Sequence, residues 1–577
     1  MLSKQINMRI RHLSVRNFRG ISELDWIVPN RNLLCLIGRG DSTKSTILEA
    51  IRRVFYPQWN ISFDDADFHL CSPVNTITIE AVLSDLPDAF RDFEKYGHFL
   101  CGWSTETNTR TDDPGDGLED ALRVRLTVTD DLEPLWSVIK SNDDGGVPFK
   151  ATDRAKVSVS LIGAISDRHL TWSRGSILSQ LTETENISSS LAGAARAAKA
   201  ALEARRVEDL AGFDEVAGTA ETTARALGVN VAASYKAHLD TDAINVRMAG
   251  LTLHDGDMPL RQLGLGSKRM LTTGLQKQAL RSPHITLFDE VEVGLEPHRI
   301  ARLLQHLKDD NTGQYFLTTH SPVVLRELTV DDLHIVHCHG GRIDVVAANK
   351  PAIADSIQGK IRSGAEAFLA PKVVVCEGAT EVGVLRGLDD HWVTAETKDS
   401  FAYRGIALFD ADGASKIKEI AEGLKALGYD VAVLADSDES VQFSDAHAQE
   451  LRNAGITVVK WDGALSIEER VFADLPWDGI MASFEVARAI WNDDDRLLDQ
   501  VQTQFGQGFD RDHEAWADTP PLRTALGKAA KVSGWFKRQS WGREWATAIS
   551  RHLADDTIRE SDLVRQLTSL RGWIDNV

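Results

Sequence analysis

Cysteine is scarce in this chain of 577 residues: there are five, odd in number and widely spaced (Cys35, Cys71, Cys101, Cys338 and Cys376). That pattern excludes a disulfide framework, and it lacks the paired spacing of a zinc site. Three of the five sit in or beside apolar strand-like runs, where a reduced core thiol is the ordinary reading, and a reducing cytoplasm is the expected compartment. No apolar run is long enough to cross a bilayer. The stretch Met1–Arg19 has no apolar segment ahead of a small-residue cleavage site, so no secretory leader is expected. Internal repeats and low-complexity tracts are absent. Positive charge is also short: 64 Lys and Arg stand against 85 Asp and Glu, a formal net charge of −21. Such a balance argues against broad, nonspecific coating of nucleic acid. Basic residues cluster only locally, at Arg9, Arg11, Arg16 and Arg19 and at Lys528, Lys531, Lys537, Arg538 and Arg543, and a solvated face is the ordinary reading of either group.

The length exceeds what one hydrophobic core organises and predicts about two to four domains. An apolar fraction of 43% and a charged fraction of 26% describe an ordinary globular protein. Residues 8–28 alternate apolar and polar, and Leu33–Ile37 reads as a short buried strand before a glycine-rich turn and a helix near 45–55. Residues 76–86 and 122–129 alternate like antiparallel strands on either side of a Gly/Asp/Thr-rich loop at 104–120. The segment 186–240 is rich in Ala, Glu and Arg, free of proline, and reads as two or three helices, too short for a long coiled-coil arm. Strands are predicted near 244–254 and 284–288, and helices near 262–280 and 297–309. Residues 341–372 show no strong periodicity. From Lys372 to about residue 475 strand and helix alternate, the signature of a parallel sheet, and a helical, Trp-rich remainder follows.

Two parts of the chain carry chemistry. The first is Gly38-Arg39-Gly40-Asp41-Ser42-Thr43-Lys44-Ser45, which follows a buried strand and opens a helix, as a phosphate-binding loop does. Backbone N–H groups and the helix N-terminus would cradle phosphates there, Lys44 would reach the β- and γ-phosphates, and Ser45 would ligate Mg²⁺. The glycine usual before the lysine is Thr43, which carries a strain cost if that position needs a positive φ. Ile285-Thr286-Leu287-Phe288-Asp289-Glu290 reads as a Walker B strand, with Asp289 holding Mg²⁺ through water and Glu290 polarising the attacking water. The second part is a pair of apolar runs that stop at acid: Val373-Val374-Val375-Cys376-Glu377, and Val431-Ala432-Val433-Leu434-Ala435-Asp436-Ser437-Asp438. Parallel strands end this way where an α/β sheet opens into its ligand crevice, and hard oxygen donors of this kind suit Mg²⁺ or Mn²⁺. On a helix start, Glu381 would face the same crevice as Glu377.

The order of these pieces resembles known families. Asn17-Phe18-Arg19-Gly20 is similar to the first strand of RecF, Rad50 and SMC ATPases. Leu263-Gly264-Leu265-Gly266-Ser267 stands where ABC ATPases carry the signature that clamps a partner's γ-phosphate, with Leu263 in place of the usual serine. Gly294-Leu295-Glu296-Pro297 matches the D-loop, and Thr318-Thr319-His320-Ser321 the switch-histidine segment. The resemblance implies an ABC-type, SMC/RecF-like ATPase head that binds ATP with Mg²⁺ through Gly38, Gly40, Thr43, Lys44, Ser45, Thr46, Asp289, Glu290, Gly264, Gly266 and His320. The acidic strand tips resemble the Toprim domain of topoisomerases, primases and OLD-family nucleases. Glu377-Gly378-Ala379-Thr380-Glu381 matches the first OLD-family Toprim motif, Asp436-Ser437-Asp438 the DxD, Glu468 a further acid, and Lys537 a C-terminal catalytic lysine. A second acidic segment, Phe409-Asp410-Ala411-Asp412-Gly413, competes with the DxD; the family pattern places a glycine turn there, which assigns Gly413 to the turn and puts Asp410 and Asp412 near the site but not among its ligands.

The whole is similar to an OLD-family ATP-dependent endonuclease, and in length and arrangement to the nuclease subunit of Gabija-type anti-phage defence. That resemblance implies an α/β architecture: an ATPase head in two parts (1–165 and 246–345) around a helical dimerisation insert (166–245), a connector (346–371), and a Rossmann-like Toprim nuclease domain with a helical extension (372–577). It implies two Mg²⁺ or Mn²⁺ ions held by Glu377, Glu381, Asp436, Asp438 and Glu468, DNA as substrate, a homodimer or higher even oligomer, and a UvrD-like helicase as partner. Two rivals stay open. One is a RecF-like DNA-sensing ATPase with a silent Toprim domain, against which the intact Glu377, Asp436 and Asp438 speak. The other is a topoisomerase or primase, against which speak the placement of all six tyrosines inside other segments and the absence of a zinc ribbon.

Overall fold

The computed structural model describes residues 8–141, 146–162, 170–172, 176–181, 193, 197, 200, 211–227, 231–235, 252–279, 284–349 and 354–576. Two compact units result: Met1–Leu161 with His284–Glu292 and Ile300–Val577, and Ile162–Pro283 with Val293–Arg299. Among the described residues no helix is long and apolar enough to cross a membrane.

In the first unit, a sheet of 14 strands has a parallel half whose central strand is a short, wholly apolar run. Leu33–Ile37 is buried at every position and pairs in parallel with Gly313–Thr318 on one side and Leu333–His339 on the other. His284–Phe288 pairs in parallel with Gly313–Thr318. Strands covered on both faces need apolar residues throughout, so they do not alternate. The chain then doubles back over Gly340 and Gly341, with φ of 59° and 91°, the conformation of a two-residue hairpin. Arg342–Ala347 runs antiparallel to Leu333–His339 and parallel to Ile21–Ile27. From there the sheet is antiparallel through Arg9–Phe18, Ile77–Ser84 and Glu119–Val128.

The alternation at 8–28, 76–86 and 122–129 corresponds to these strands. Two expectations need correction. The loop at 104–120 includes Thr109–Thr111, paired with Leu100–Ser104. The stretch 341–372 holds the strand Arg342–Ala347 and the helix Ala354–Ser363. Both strands are short: Thr109–Thr111 is too brief to show a period and closes a local hairpin, and Arg342–Ala347 also pairs with the distant Ile21–Ile27, which local periodicity does not report.

A second sheet in the same unit has four parallel strands in the order Ile406–Asp410, Lys372–Cys376, Asp430–Ala435, Thr457–Lys460. Helices Ala379–Thr394, Ala414–Ala426 and Asp445–Asn453 connect them. The helical remainder packs on this layer. Trp535 and Trp545 are fully buried, and the Phe536 and Trp545 rings stack with centroids 4.1 Å apart. Small residues bring the helix Gln539–Ser550 against Ala379–Thr394: a Cβ on Gly387 would lie 2.5 Å from Ala546 Cβ, and one on Gly542 2.7 Å from the Thr380 carbonyl oxygen. The two sheets are joined at His337, whose Nε2–H donates to the Leu427 carbonyl at 2.7 Å and whose ring meets Tyr429 edge-on.

The second unit contains the helices Ala211–Ala226 and Leu265–Ala279 and the strand pair His254–Asp255 and Met258–Pro259. Of the helices expected over 186–240, Ala211–Ala226 is observed, and most of the remaining expectation lies outside the described residues, as do residues 244–251 of the strand expected near 244–254.

His334, in the strand Leu333–His339, is 1% exposed and its Nε2 has no hydrogen-bond partner. Burial holds its pKa down to about 4. Between pH 6.5, the ordinary value, and about 4, the unfolded chain therefore binds a proton that the folded chain does not, and stability falls as pH falls. Thermal denaturation from pH 7 to pH 4.5 is expected to show a shallower loss for His334→Leu than for the wild type.

Candidate functional site

The candidate nucleotide site grows from the end of Leu33–Ile37. Gly38 has φ of 143°, and a Cβ there would lie 2.6 Å from the Val336 carbonyl oxygen, so no side chain fits. The loop then enters the helix Lys44–Val54 through Thr43, whose φ of 65° and ψ of 15° are left-handed. For threonine that conformation costs on the order of 1–3 kcal/mol. Its methyl is accommodated by Gly20, where a Cβ would stand 2.8 Å from Thr43 Cγ2. Lys44 is 4% exposed and curls into the loop, donating to the carbonyls of Gly38 (3.1 Å) and Arg39 (2.9 Å) and to Ser42 Oγ (3.1 Å). Burial brings its pKa down to about 8, with Asp289 opposing. Gly40 has open space around its Cα, and Thr46 sits half-buried in the first helical turn.

The parallel register Phe288↔Leu317 sets Asp289, one residue past its strand, beside Thr318, the last residue of the next. Asp289 Oδ1 accepts from Ser45 Oγ at 2.8 Å and from Thr318 Oγ1 at 2.7 Å. Thr318 Oγ1 in turn accepts the Glu290 N–H at 2.8 Å, and Glu290 has φ of 47°. Glu292 accepts from Thr319 Oγ1 (2.7 Å) and the His320 N–H (2.8 Å). Burial first, and Lys44 second, keep His320 below its ordinary pKa, so it is neutral at pH 7. Thr318 and Glu292 were not among the residues expected from sequence. The one signal for Thr318 is a hydroxyl at the tip of a buried strand; for Glu292 there is none. Gly264 and Gly266 belong to the second unit, at the start of Leu265–Ala279, where Gly266 packs so tightly on Gly294 that a Cβ would lie 2.3 Å from its carbonyl oxygen.

The carboxylate centre forms at the C-terminal edge of the four-stranded sheet. The register Cys376↔Leu434 levels Glu377 with Ala435, and the Asp436 N–H donates to Glu377 Oε2 at 3.1 Å. The Gly413 N–H donates to the Glu377 carbonyl at 2.9 Å, and Gly413, with φ of 113°, forms the turn that precedes the next helix. Glu381 caps its own helix, accepting the Gly378 N–H at 2.8 Å. Glu468 lies in the first turn of Ile467–Asp474 and is buried. Asp436 Oδ1 accepts from Trp461 Nε1 at 3.0 Å.

Burial and then mutual repulsion raise these acids. Glu381 is pushed up to about 8 by burial and by Glu468. Asp436 is held well above the carboxylate range by burial and then by Glu381, Glu468, Glu377 and Asp438. Glu377 and Glu468 rise for the same first reason. Lys537 is exposed, and its charge opposes the rise at Glu468. Asp438 Oδ2 pairs with Lys531, a residue not expected in the site, while its Oδ1 is buried without a hydrogen-bond partner. Asp412 is exposed and pairs with Lys416 at 2.7 Å, and Asp410 accepts the Asp412 N–H at 2.9 Å.

Among the described residues no three His, Cys, Asp or Glu side chains stand ready as a metal cluster. The donor set nevertheless fits a hard divalent cation: only oxygens, several buried, raised by one another's charge, with one orphaned at Asp438. Holding such an ion requires the side chains to draw together.

The contact between Gly20 and Thr43 is testable by a double-mutant cycle. Gly20→Ala alone is expected to destabilise the chain by roughly 1–3 kcal/mol, the range for overpacking. In the Thr43→Gly background most of that loss should vanish. Additive losses in urea denaturation would show that the two positions do not touch.

A family model described as "AAA domain, putative AbiEii toxin, Type IV TA system" matches residues 158–326, and one described as "Overcoming lysogenization defect protein-like, TOPRIM domain" matches residues 368–438. No curated protein matches the chain. Among solved structures, the SMC head domain from Thermotoga maritima is 16% identical, covering 59% of this chain and 98% of that one with a TM-score of 0.28. The Smc head of Pyrococcus furiosus bound to the C-terminal domain of ScpA is 13% identical, covering 62% and 100% at 0.33. The recombination mediator RecF with ATP is 13% identical, covering 59% and 99% at 0.34. The chain thus matches an AAA-type ATPase domain model followed by an OLD-like Toprim domain model.

Proposed function

We propose that this protein is an ATP-responsive, divalent-metal-dependent DNA endonuclease. The observation that carries the reading is the crowding of Glu377, Glu381, Asp436, Asp438 and Glu468 at one sheet edge, where burial and mutual repulsion lift several of them far from their ordinary range. A fold retains such a concentration of buried negative charge when a cation offsets it. Two Mg²⁺ or Mn²⁺ ions held by these carboxylates would supply an activated water and stabilisation of the leaving 3′ oxygen. Trp461 and the Asp436 N–H hold Asp436 and Glu377 in register. Lys537, exposed beside Glu468, is suited to meet a phosphate oxygen of the substrate strand.

At the other site, ATP would draw Lys44 out of the loop carbonyls, and Ser45 with Asp289 would hold its Mg²⁺, while Glu290 orients the attacking water. ABC-type heads share nucleotide between two copies, so a homodimer or higher even oligomer is part of the proposal. Phe213, Val216 and Leu227, 58%, 65% and 78% exposed on and just beyond the helix Ala211–Ala226, support a role for the insert in that association. Anti-phage defence and a UvrD-like helicase partner rest on the sequence resemblance.

Asp436→Ala and Asp438→Ala are expected to abolish cleavage of supercoiled and linear DNA in Mg²⁺ or Mn²⁺ while leaving ATP binding intact. Asp412→Ala should keep measurable activity. A wild-type rate in either of the first two, or complete loss in the third, would move the site to the other acidic pair.

Lys44→Ala removes a charge-assisted contact of ~1.5–3 kcal/mol and should weaken ATP binding by about tenfold to a hundredfold in calorimetry. Glu290→Gln should bind ATP and turn it over slowly. Strain at Thr43 and the absence of a signature serine at Leu263 both favour slow hydrolysis, so ATP acts as a ligand through its differential affinity for two arrangements. ATP and a nonhydrolysable analogue should shift DNA cleavage in the same direction at saturating occupancy; an effect of ATP alone would require turnover.

A further inference from the structure

Helix Pro520–Ser533 runs against helix Ile467–Asp474 at unusually close range: a Cβ on Gly527 would lie 2.9 Å from Glu469 Cα. Lys531 stands one turn beyond Gly527, on the same helical face. The missing side chain at 527 therefore delivers the Lys531 ammonium onto the carboxylate centre. There it pairs with Asp438 Oδ2 and lies 3.4 Å from Glu469 Oε2. Glu469 is already engaged, since the same Oε2 accepts the Ser466 N–H at 3.1 Å. Asp438 is the incomplete partner. Its side chain is 12% exposed, and its second oxygen is buried with nothing to accept from.

A buried ion pair that serves only structure has its remaining lone pairs satisfied, because the desolvation cost is otherwise unopposed. This pair, in which Asp438 is 12% and Lys531 36% exposed, leaves one Asp438 oxygen orphaned, and the Asp438 charge adds to the repulsion felt by Glu377, Asp436 and Glu468. We propose that Lys531 is an internal counter-cation for Asp438 that a divalent metal displaces, so that it sets the affinity of the centre for metal and is freed to meet substrate phosphate when the metal enters. The inference rests on the metal-dependent reading above. An ammonium and a divalent cation repel one another and compete for the negative charge of one carboxylate, so part of the metal-binding free energy is spent on releasing the lysine. Removing its charge both relieves that competition and leaves the centre more negative.

The experiment uses the full chain without nucleotide or DNA, with free Mn²⁺ counted by electron paramagnetic resonance. Lys531→Met is expected to bind Mn²⁺ about tenfold more tightly than the wild type, and Lys531→Arg, which keeps the charge, about as the wild type does. Lys531→Gln is a second neutral variant in case Lys531→Met folds poorly, and it should shift the same way. The gain should disappear in an Asp438→Asn background, which assigns it to this centre. A merely structural lysine would leave Asp438 misplaced when removed. Unchanged or weaker Mn²⁺ binding in the neutral variants therefore overturns the proposal while leaving the metal-dependent reading in place. A wild-type chain that binds no Mn²⁺ overturns both.

Discussion

The head depends on one constraint: Leu33–Ile37, five residues long, is paired in parallel on both sides and buried at every position. Its flanking strands each bring a function to its tip. On one side, the Gly313–Thr318 strand and the His284–Phe288 strand beyond it deliver Thr318 and Asp289 to the loop that follows. On the other, Val336 comes so close that only glycine is tolerated at Gly38. A parallel strand cannot be reached by a tight turn, so these neighbours come from nearly three hundred residues away in the chain. The loop is held in a conformation that strains Thr43 because the sheet around it leaves no alternative.

The neighbouring strand Leu333–His339 ties the two sites to one framework. Val336, against Gly38, is followed by His337, which donates to Leu427 next to Gly428 and meets Tyr429. Tyr429 leads into Asp430–Ala435, the strand whose tip is Asp436. The path from the loop at Gly38 to the carboxylate centre thus runs through strands and direct contacts.

The carboxylate centre illustrates the converse economy. Burying acids costs free energy that packing elsewhere must offset. The offset is visible in the tail, where Trp535 and Trp545 are fully buried and where small residues at Gly383, Gly387 and Gly542 let helices meet at backbone distance. The tail therefore braces the helix that carries Glu381 and, through Gly527, places Lys531 beside Asp438.

What the sequence determined by itself were the features encoded in consecutive residues. A buried apolar run ending in glycine and lysine, another ending in Asp289 and Glu290, and two ending in Glu377 and Asp436 announce both chemistries, because a strand and its tip are local. The strands at 8–28, 76–86 and 122–129 were legible through their alternation for the same reason. The short strands Thr109–Thr111 and Arg342–Ala347 were not, since three residues show no period and Arg342–Ala347 takes one of its partners from the far end of the chain. The contacts of Thr318, Glu292 and Lys531 were likewise not legible: parallel register brings Thr318 to Asp289, the His320 N–H reaches Glu292, and helix packing over Gly527 brings Lys531 to Asp438. Only the tertiary structure decided which charged groups stand within hydrogen-bonding distance, because that proximity is a property of packed elements and no local pattern encodes it.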